Sequence, residues 1–344
     1  MGRIKSVDVL RTIAIIFIIA IHTLPFQHPS LPVGQKFDFA TLINQFARFA
    51  VPFFFVLSGY FWAQKLHDED CVTSHTIKTV KRIAAISFFW SLIYLLPTNI
   101  IQALDNGLLG PIKQFYWNLS SAANKPHLTL VQGTKGHLWF LHSLICSLII
   151  SAIFVRLGLE RLLFFFAIVL YLIGLAAKAY SNTPLGLHYT FNFRNGPFFS
   201  LLFFVTGFFL QRRSTSPSWF PIGCAIAIFG FILHLFELKV LNDVWGVSMN
   251  QDYVAGTYFF GLGAALMAFS NTKWLESDFL ALIGPRVLGI YTSHYVFVDL
   301  FAPFAARFAG HALWDLSYIA IVFFTSYYFS RILANYRLTK ILVT

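Results

Sequence analysis

Asp8, Arg11 and His22 lie in one apolar run near the start of the chain, where ionisable side chains are expensive. A charge at the centre of a membrane span costs roughly 2.5–3.5 kcal/mol on insertion scales, so such a residue is a functional candidate by default. Eleven residues separate Arg11 from His22. At about 100° per residue this is three helical turns plus roughly 20°, so both project from one face, about 16 Å apart along the axis. Asp8 is one turn from Arg11 and can pair with it. An imidazole can take a proton from an attacking hydroxyl or itself become a nucleophile. A guanidinium can hold a phosphate or a carboxylate with two parallel hydrogen bonds. The plainer alternatives are an interfacial ion pair with Arg11 reaching for the surface, and a histidine satisfied by helix packing.

Other polar residues fall at matching depths if each apolar run is a helix. Arg48 lies just inside the outer end of the second run. His137, Trp139 and His142 open the fourth, Arg194 and Asn195 precede the sixth, and His294 sits in the outer half of the ninth. Singly, each reads as an interface anchor or a packing residue; together they can surround His22. On the opposite side Lys65, Lys78, Lys81 and Arg82 gather beside Arg11. They form either a phosphate site or ordinary cytoplasmic charge. The cysteines, Cys71, Cys146 and Cys224, have neither disulfide nor metal spacing, so no metal site is expected.

These residues must be positioned by helices. The composition is 57% hydrophobic and 11% charged, against about a quarter charged in a soluble domain. Mean hydropathy is +0.68. So apolar a chain needs lipid as solvent, and lipid admits only helices or closed barrels. The apolar runs are long and do not alternate, which selects helices. The expectation is an all-α polytopic membrane protein with about ten transmembrane helices, near residues 8–26, 45–63, 83–101, 138–156, 160–178, 197–211, 219–237, 255–271, 279–300 and 314–333. Threading these from a cytoplasmic N-terminus puts about fourteen Lys and Arg inside and about eight outside, which predicts both termini in the cytoplasm. Residues 1–344 read as a single membrane-embedded domain, because the largest external segment, about 102–137, is too short to fold alone. The net charge of +11 does not point to nucleic acid, since the basic residues sit in short loops between apolar runs.

Asp8-Val9-Leu10-Arg11, ten residues and then His22 resembles the R-x10-H motif of the acyltransferase-3 family of membrane O-acyltransferases. Val51-Pro52-Phe53-Phe54-Phe55-Val56-Leu57-Ser58-Gly59-Tyr60 is similar to that family's second-span signature, and His137-Leu138-Trp139-Phe140-Leu141 to its HLWFL segment. Arg194-Asn195-Gly196, with Pro197-Phe198-Phe199 and Gly207, resembles the sixth-span motif of members that modify polysaccharides. Leu288-Gly289-Ile290-Tyr291-Thr292-Ser293-His294 is similar to the ninth-span LGIYxxH. Five motifs in family order run along nearly the whole chain. The family's basic pairs after the second span are matched only in part, by Lys78, Lys81 and Arg82.

The resemblance implies transfer of an acyl group, usually acetyl, from cytoplasmic acetyl-CoA to a hydroxyl of a cell-surface glycan or its lipid-linked precursor. The implied setting is the lipid of a bacterial inner membrane, with acetyl-CoA as co-substrate and no permanently bound cofactor. His22, Arg11 and Asp8 would be catalytic. Lys65, Lys78, Lys81 and Arg82 would bind the donor. Arg48, His137, Trp139, Arg194, Asn195 and His294 would face the acceptor. His22 remains open between general base and acyl carrier. A second class is a transporter or flippase for a glycan or small solute, since intramembrane charges also mark substrate pathways. Acetyl-CoA binding separates the two.

Overall fold

The computed structural model describes residues 3–27, 34, 37–66, 69–213, 215–308 and 310–343. All regular structure among them is helical. The helices are α1 (Lys5–Thr23), α2 (Phe39–Phe46), α3 (Ala50–Ala63), α4 (Glu69–Ile93), α5 (Ile100–Leu104), α6 (Gly110–Asn124), α7 (Pro126–Gln132), α8 (Trp139–Arg156), α9 (Glu160–Ala176), α10 (Pro197–Gln211), α11 (Trp219–Trp245), α12 (Gly256–Phe269), α13 (Asp278–Ile283), α14 (Val287–Arg307) and α15 (Ala312–Asn335).

Each of the ten expected runs falls on a helix, but not every helix has the length of a crossing. Six continuous helical stretches among the described residues are long and apolar enough to span a membrane: Lys5–Thr23, Phe39–Ala63, Gly136–Arg156, Trp219–Trp245, Asp278–Arg307 and Ala312–Asn335. Helices α10 and α12 have only 15 and 14 residues. At 1.5 Å per residue they reach about 21–23 Å, short of the roughly 30 Å hydrocarbon layer. They also sit inside the protein, with most of their side chains buried, so packing replaces lipid around them. By contrast, α11 is long and mostly exposed, as a lipid-facing helix should be.

Close backbone approach locks the centre. Cβ atoms at Gly59 and Gly207 would meet the carbonyl oxygens of Phe204 and Val56, so α3 and α10 lie against each other only because both residues lack a side chain. Phenylalanines fill the remaining space: Phe53, Phe55, Phe203 and Phe204 are fully buried. One hydrophobic cluster runs from Val7 to Val343.

Two breaks in helical winding matter for the site. Residues Ala47–Phe49 form a 3-10 turn between α2 and α3, and Gly136–Leu138 form another at the head of α8. Arg48 and His137 sit on these turns. Helix α1 stops just beyond His22, where Leu24 turns left-handed (φ 49°) and its N–H caps the Ala20 carbonyl. Pro25, lacking an N–H, follows.

Candidate active site

A cavity of about 790 Å³ opens among α1, α3, α4, α8 and α14. On α1 it is lined by Ile4, Val7, Asp8, Arg11 and Ile18, one continuous face. From Ile4 to Ile18 that face extends about 21 Å at 1.5 Å per residue. One end holds the cations Arg3, Arg11, Lys65 and Arg82 with His75 and Thr79. The other end holds Ile18, Phe140 and Tyr291. Lys78 and Lys81 are exposed on α4 and are not among the lining residues.

Asp8 is buried and holds two guanidiniums. Arg3 Nε donates to one carboxylate oxygen at 2.6 Å and Arg11 Nη1 to the other at 3.2 Å. Arg3 also donates to the Ala281 carbonyl. Arg11 lies 5.0 Å over the Phe61 ring, a cation–π contact that fixes the guanidinium plane. Asp8 therefore anchors two cations at the cavity's charged end.

His22 stands one turn beyond Ile18, past the apolar end. Its Nδ1 is 3.0 Å from the Tyr295 hydroxyl, and its ring stacks on His294 with centroids 5.3 Å apart. His294 Nδ1 donates to the Tyr291 carbonyl at 2.6 Å, while its Nε2 is buried with no partner among the described residues. His137 packs against both, 5.0 Å from His294 and 4.7 Å from the Tyr295 ring. The Tyr291 hydroxyl donates to the His137 carbonyl. Since Tyr291 also lines the cavity, it is the wall between the cavity and the three imidazoles. Among the described residues no group of three or more His, Cys, Asp or Glu is arranged to hold a metal ion. His142, by contrast, points to α4, with Nε2 3.3 Å from Ser87.

A second polar centre gathers the remaining residues singled out from the sequence. Asp252 accepts from Arg48 at 3.1 Å and Arg194 at 3.2 Å, and pairs with Lys178 at 2.8 Å. Burial alone would push the Asp252 carboxyl up, but Arg194, Arg48 and Lys178 outweigh it and hold the group well below the usual carboxylate range. The Nε atoms of Arg48 and Arg194 are buried without partners among the described residues, so the centre retains donors as well as positive charge. Arg194 stacks 4.7 Å over Trp139. Asn195 is fully buried and donates to Gln132 at 3.4 Å.

Several members escaped the sequence reading. Tyr295, beside His294, carries no charge to betray it. Asp252 and Lys178 lie in connecting segments, where charge is ordinary; the available signal was scarcity, since the chain has only 14 acidic residues. The pair Lys135–Asp299, 2.5 Å apart, escaped too, although Asp299 lies inside the expected ninth run, where a carboxylate is costly; Lys135 lies 4.9 Å over Tyr295.

The chain is 29% identical over 228 residues to a serine/alanine racemase of Enterococcus gallinarum, covering 62% of this chain and 30% of that protein. It is 30% identical over 246 residues to an amino-acid racemase of Enterococcus faecalis, covering 67% and 31%. The chain thus spans under a third of the length of these curated relatives. No solved structure matches it. The acyltransferase-3 model, described as an acyltransferase domain, matches residues 4–334. The apolar helices and this match together make the chain a multi-pass membrane protein belonging to the acyltransferase-3 family.

Proposed function

We propose that this acyltransferase moves an acetyl group from cytoplasmic acetyl-CoA to a hydroxyl of a cell-surface glycan or its lipid-linked precursor, with His22 as general base. The observation that carries the reading is the cavity of about 790 Å³ with four cations at one end and, beyond Tyr291 at the other, His22. Phosphates of CoA would bind Arg3, Arg11, Lys65 and Arg82 by charge-assisted hydrogen bonds. The slender pantetheine arm would lie along the apolar face of α1, carrying the thioester toward His22. Lys78 and Lys81, exposed beside the mouth, would contribute longer-range attraction.

His22 would take the proton of the acceptor hydroxyl as its oxygen attacks the thioester carbonyl. The C–S bond breaks, the thiolate leaves and takes up that proton, and the products are an O-acetyl ester and free CoA. Arg48, Arg194, Asn195, Trp139, His137 and His294 would hold the acceptor near His22. We favour direct transfer over an acyl-histidine because a complex of donor and acceptor needs no stored intermediate. We place the charged mouth and both termini in the cytoplasm, with about ten membrane-crossing or membrane-embedded helices in a bacterial inner membrane.

The test is mass spectrometry of surface glycans from host cells with and without this gene, coupled to acetyl-CoA binding by the purified protein. An added acetyl mass together with saturable binding supports the reading. Binding of neither acetyl-CoA nor CoA would end it.

A further inference from the structure

Resting on the transferase reading, we propose that a second, polar cavity under α6 and α7 is a carbohydrate subsite that binds the acceptor beyond the sugar being acylated. The cavity has a volume of about 380 Å³ and lies among α6, α7, α14 and the segments that follow α4 and α7. Its wall carries the side-chain amides of Gln114, Asn118 and Gln132, which keep N–H donors and oxygen lone pairs for a hydroxyl beyond the bonds they make within the protein. At its lip stands Trp117, 70% exposed although it belongs to a cavity wall. An exposed indole beside amides is a platform for the apolar face of a sugar ring, whose hydroxyls then reach the amides.

Two contacts tie this cavity to the chemistry. Its floor is the Lys135–Asp299 pair, and Lys135 lies over the ring of Tyr295, whose hydroxyl meets His22. On another side Gln132 accepts from Asn195, whose Oδ1 is buried without a partner among the described residues. The cavity is therefore one side chain away from the proposed acceptor residues in two directions. Gln114 and Asn118 are held to each other at 2.9 Å, and Asn118 donates to the Leu95 carbonyl at 3.1 Å, so the amides are fixed in place before any sugar arrives. A long, polyhydroxylated acceptor fits this arrangement; a small solute would not need a second cavity.

The test measures alkali-released acetate from the envelope saccharides of cells carrying wild type, Trp117→Ala, Trp117→Phe or Gln114→Leu/Asn118→Leu, at matched membrane levels. Acetyl-CoA affinity is measured on each purified protein. O-acetyl content should fall about tenfold or more in Trp117→Ala and in the double variant, return toward wild type in Trp117→Phe, and donor affinity should stay within about twofold. O-acetyl content within twofold of wild type in both Trp117→Ala and the double variant would overturn the subsite while leaving the transferase reading standing. A wild type that adds no O-acetyl groups and does not bind acetyl-CoA would overturn both.

Discussion

Replacing Tyr295 by Phe removes one oxygen and leaves the ring. The contacts of that ring with His22 and His137, both at 4.7 Å between centroids, survive the change, as does the cation of Lys135 above it. What disappears is the 3.0 Å hydrogen bond to His22 Nδ1. If His22 acts as base through Nε2, its Nδ1 must carry the proton and donate it to the Tyr295 oxygen; the bond holds the ring in the orientation that aims Nε2 away from Tyr295. Without it the imidazole can turn about its χ2. Leaving a buried polar group unpaired costs about 1–3 kcal/mol. At a factor of ten per 1.36 kcal/mol, the transfer rate should fall about 5- to 150-fold. The assay is the initial rate of acetyl transfer in membranes with matched protein, beside an acetyl-CoA titration to show that donor binding survives. A rate within twofold of wild type would mean that Tyr295 does not orient the base, and the role assigned to His22 Nε2 would go with it.

His22→Ala should abolish transfer, a loss on the scale of about 10²–10⁴ for a missing general base, with membrane insertion and acetyl-CoA binding intact; near-normal glycan acetylation would remove the mechanism. His142→Ala should cost far less, because that ring engages Ser87 on α4 and not the His22 cluster. Arg11→Lys keeps the charge but not the planar fork over Phe61, so donor affinity should drop while the protein still accumulates; unaltered affinity in an acetyl-CoA titration would move the phosphates elsewhere. Asp252→Asn leaves Arg48, Arg194 and Lys178 facing one another, and detergent-solubilised protein should unfold at a lower temperature, consistent with about 3–5 kcal/mol for a broken buried pair. Because the folded-state value of Asp252 is depressed, its contribution is present above the ordinary carboxylate value near 4 and is lost as pH falls below it. The gap between wild type and variant should thus be constant from pH 8 to about pH 5, shrink steadily below about pH 4 and close only as pH falls through the depressed folded-state value; a gap as large at pH 2 as at pH 5 would refute the ion-pair origin.

The helices were legible because hydrocarbon imposes a strong and simple constraint on sequence. Long apolar runs with sparse charge place α1, α8, α11, α14 and α15 almost unaided. Which of them traverse lipid was less legible: α10 and α12 read as apolar runs like the others, yet their short lengths and buried surfaces belong to a protein interior. Periodicity cannot separate a helix bathed in lipid from one bathed in phenylalanine. Within the site, residues that lipid makes costly were readable one at a time. Their grouping was not. The join of Arg48 to Asp252 spans 204 residues, and that of His22 to Tyr295 spans 273; no local pattern encodes such partners. The exposure of Lys78 and Lys81 was equally invisible, because neighbouring positions on α4 differ only in the direction they face.

The threefold capture of Asp252 has a consequence for how the protein is made. Arg48, Lys178 and Arg194 all precede Asp252 along the chain, so a nascent protein holds three cations in waiting before the ribosome supplies the carboxylate that unites them. His22 waits longer still, until α14 brings His294 and Tyr295 beside it. His22, Arg48, Lys178 and Arg194 are therefore made before the partners that hold them in the finished protein. Lys135 likewise precedes Asp299. A chain stalled before α14 carries Arg3, Arg11, Lys65 and Arg82 at one end of the large cavity but lacks His294 and Tyr295, so the cluster around His22 comes together late in biogenesis. Until Asp252 is made, Arg48, Lys178 and Arg194 lack the carboxylate that holds them together in the finished protein.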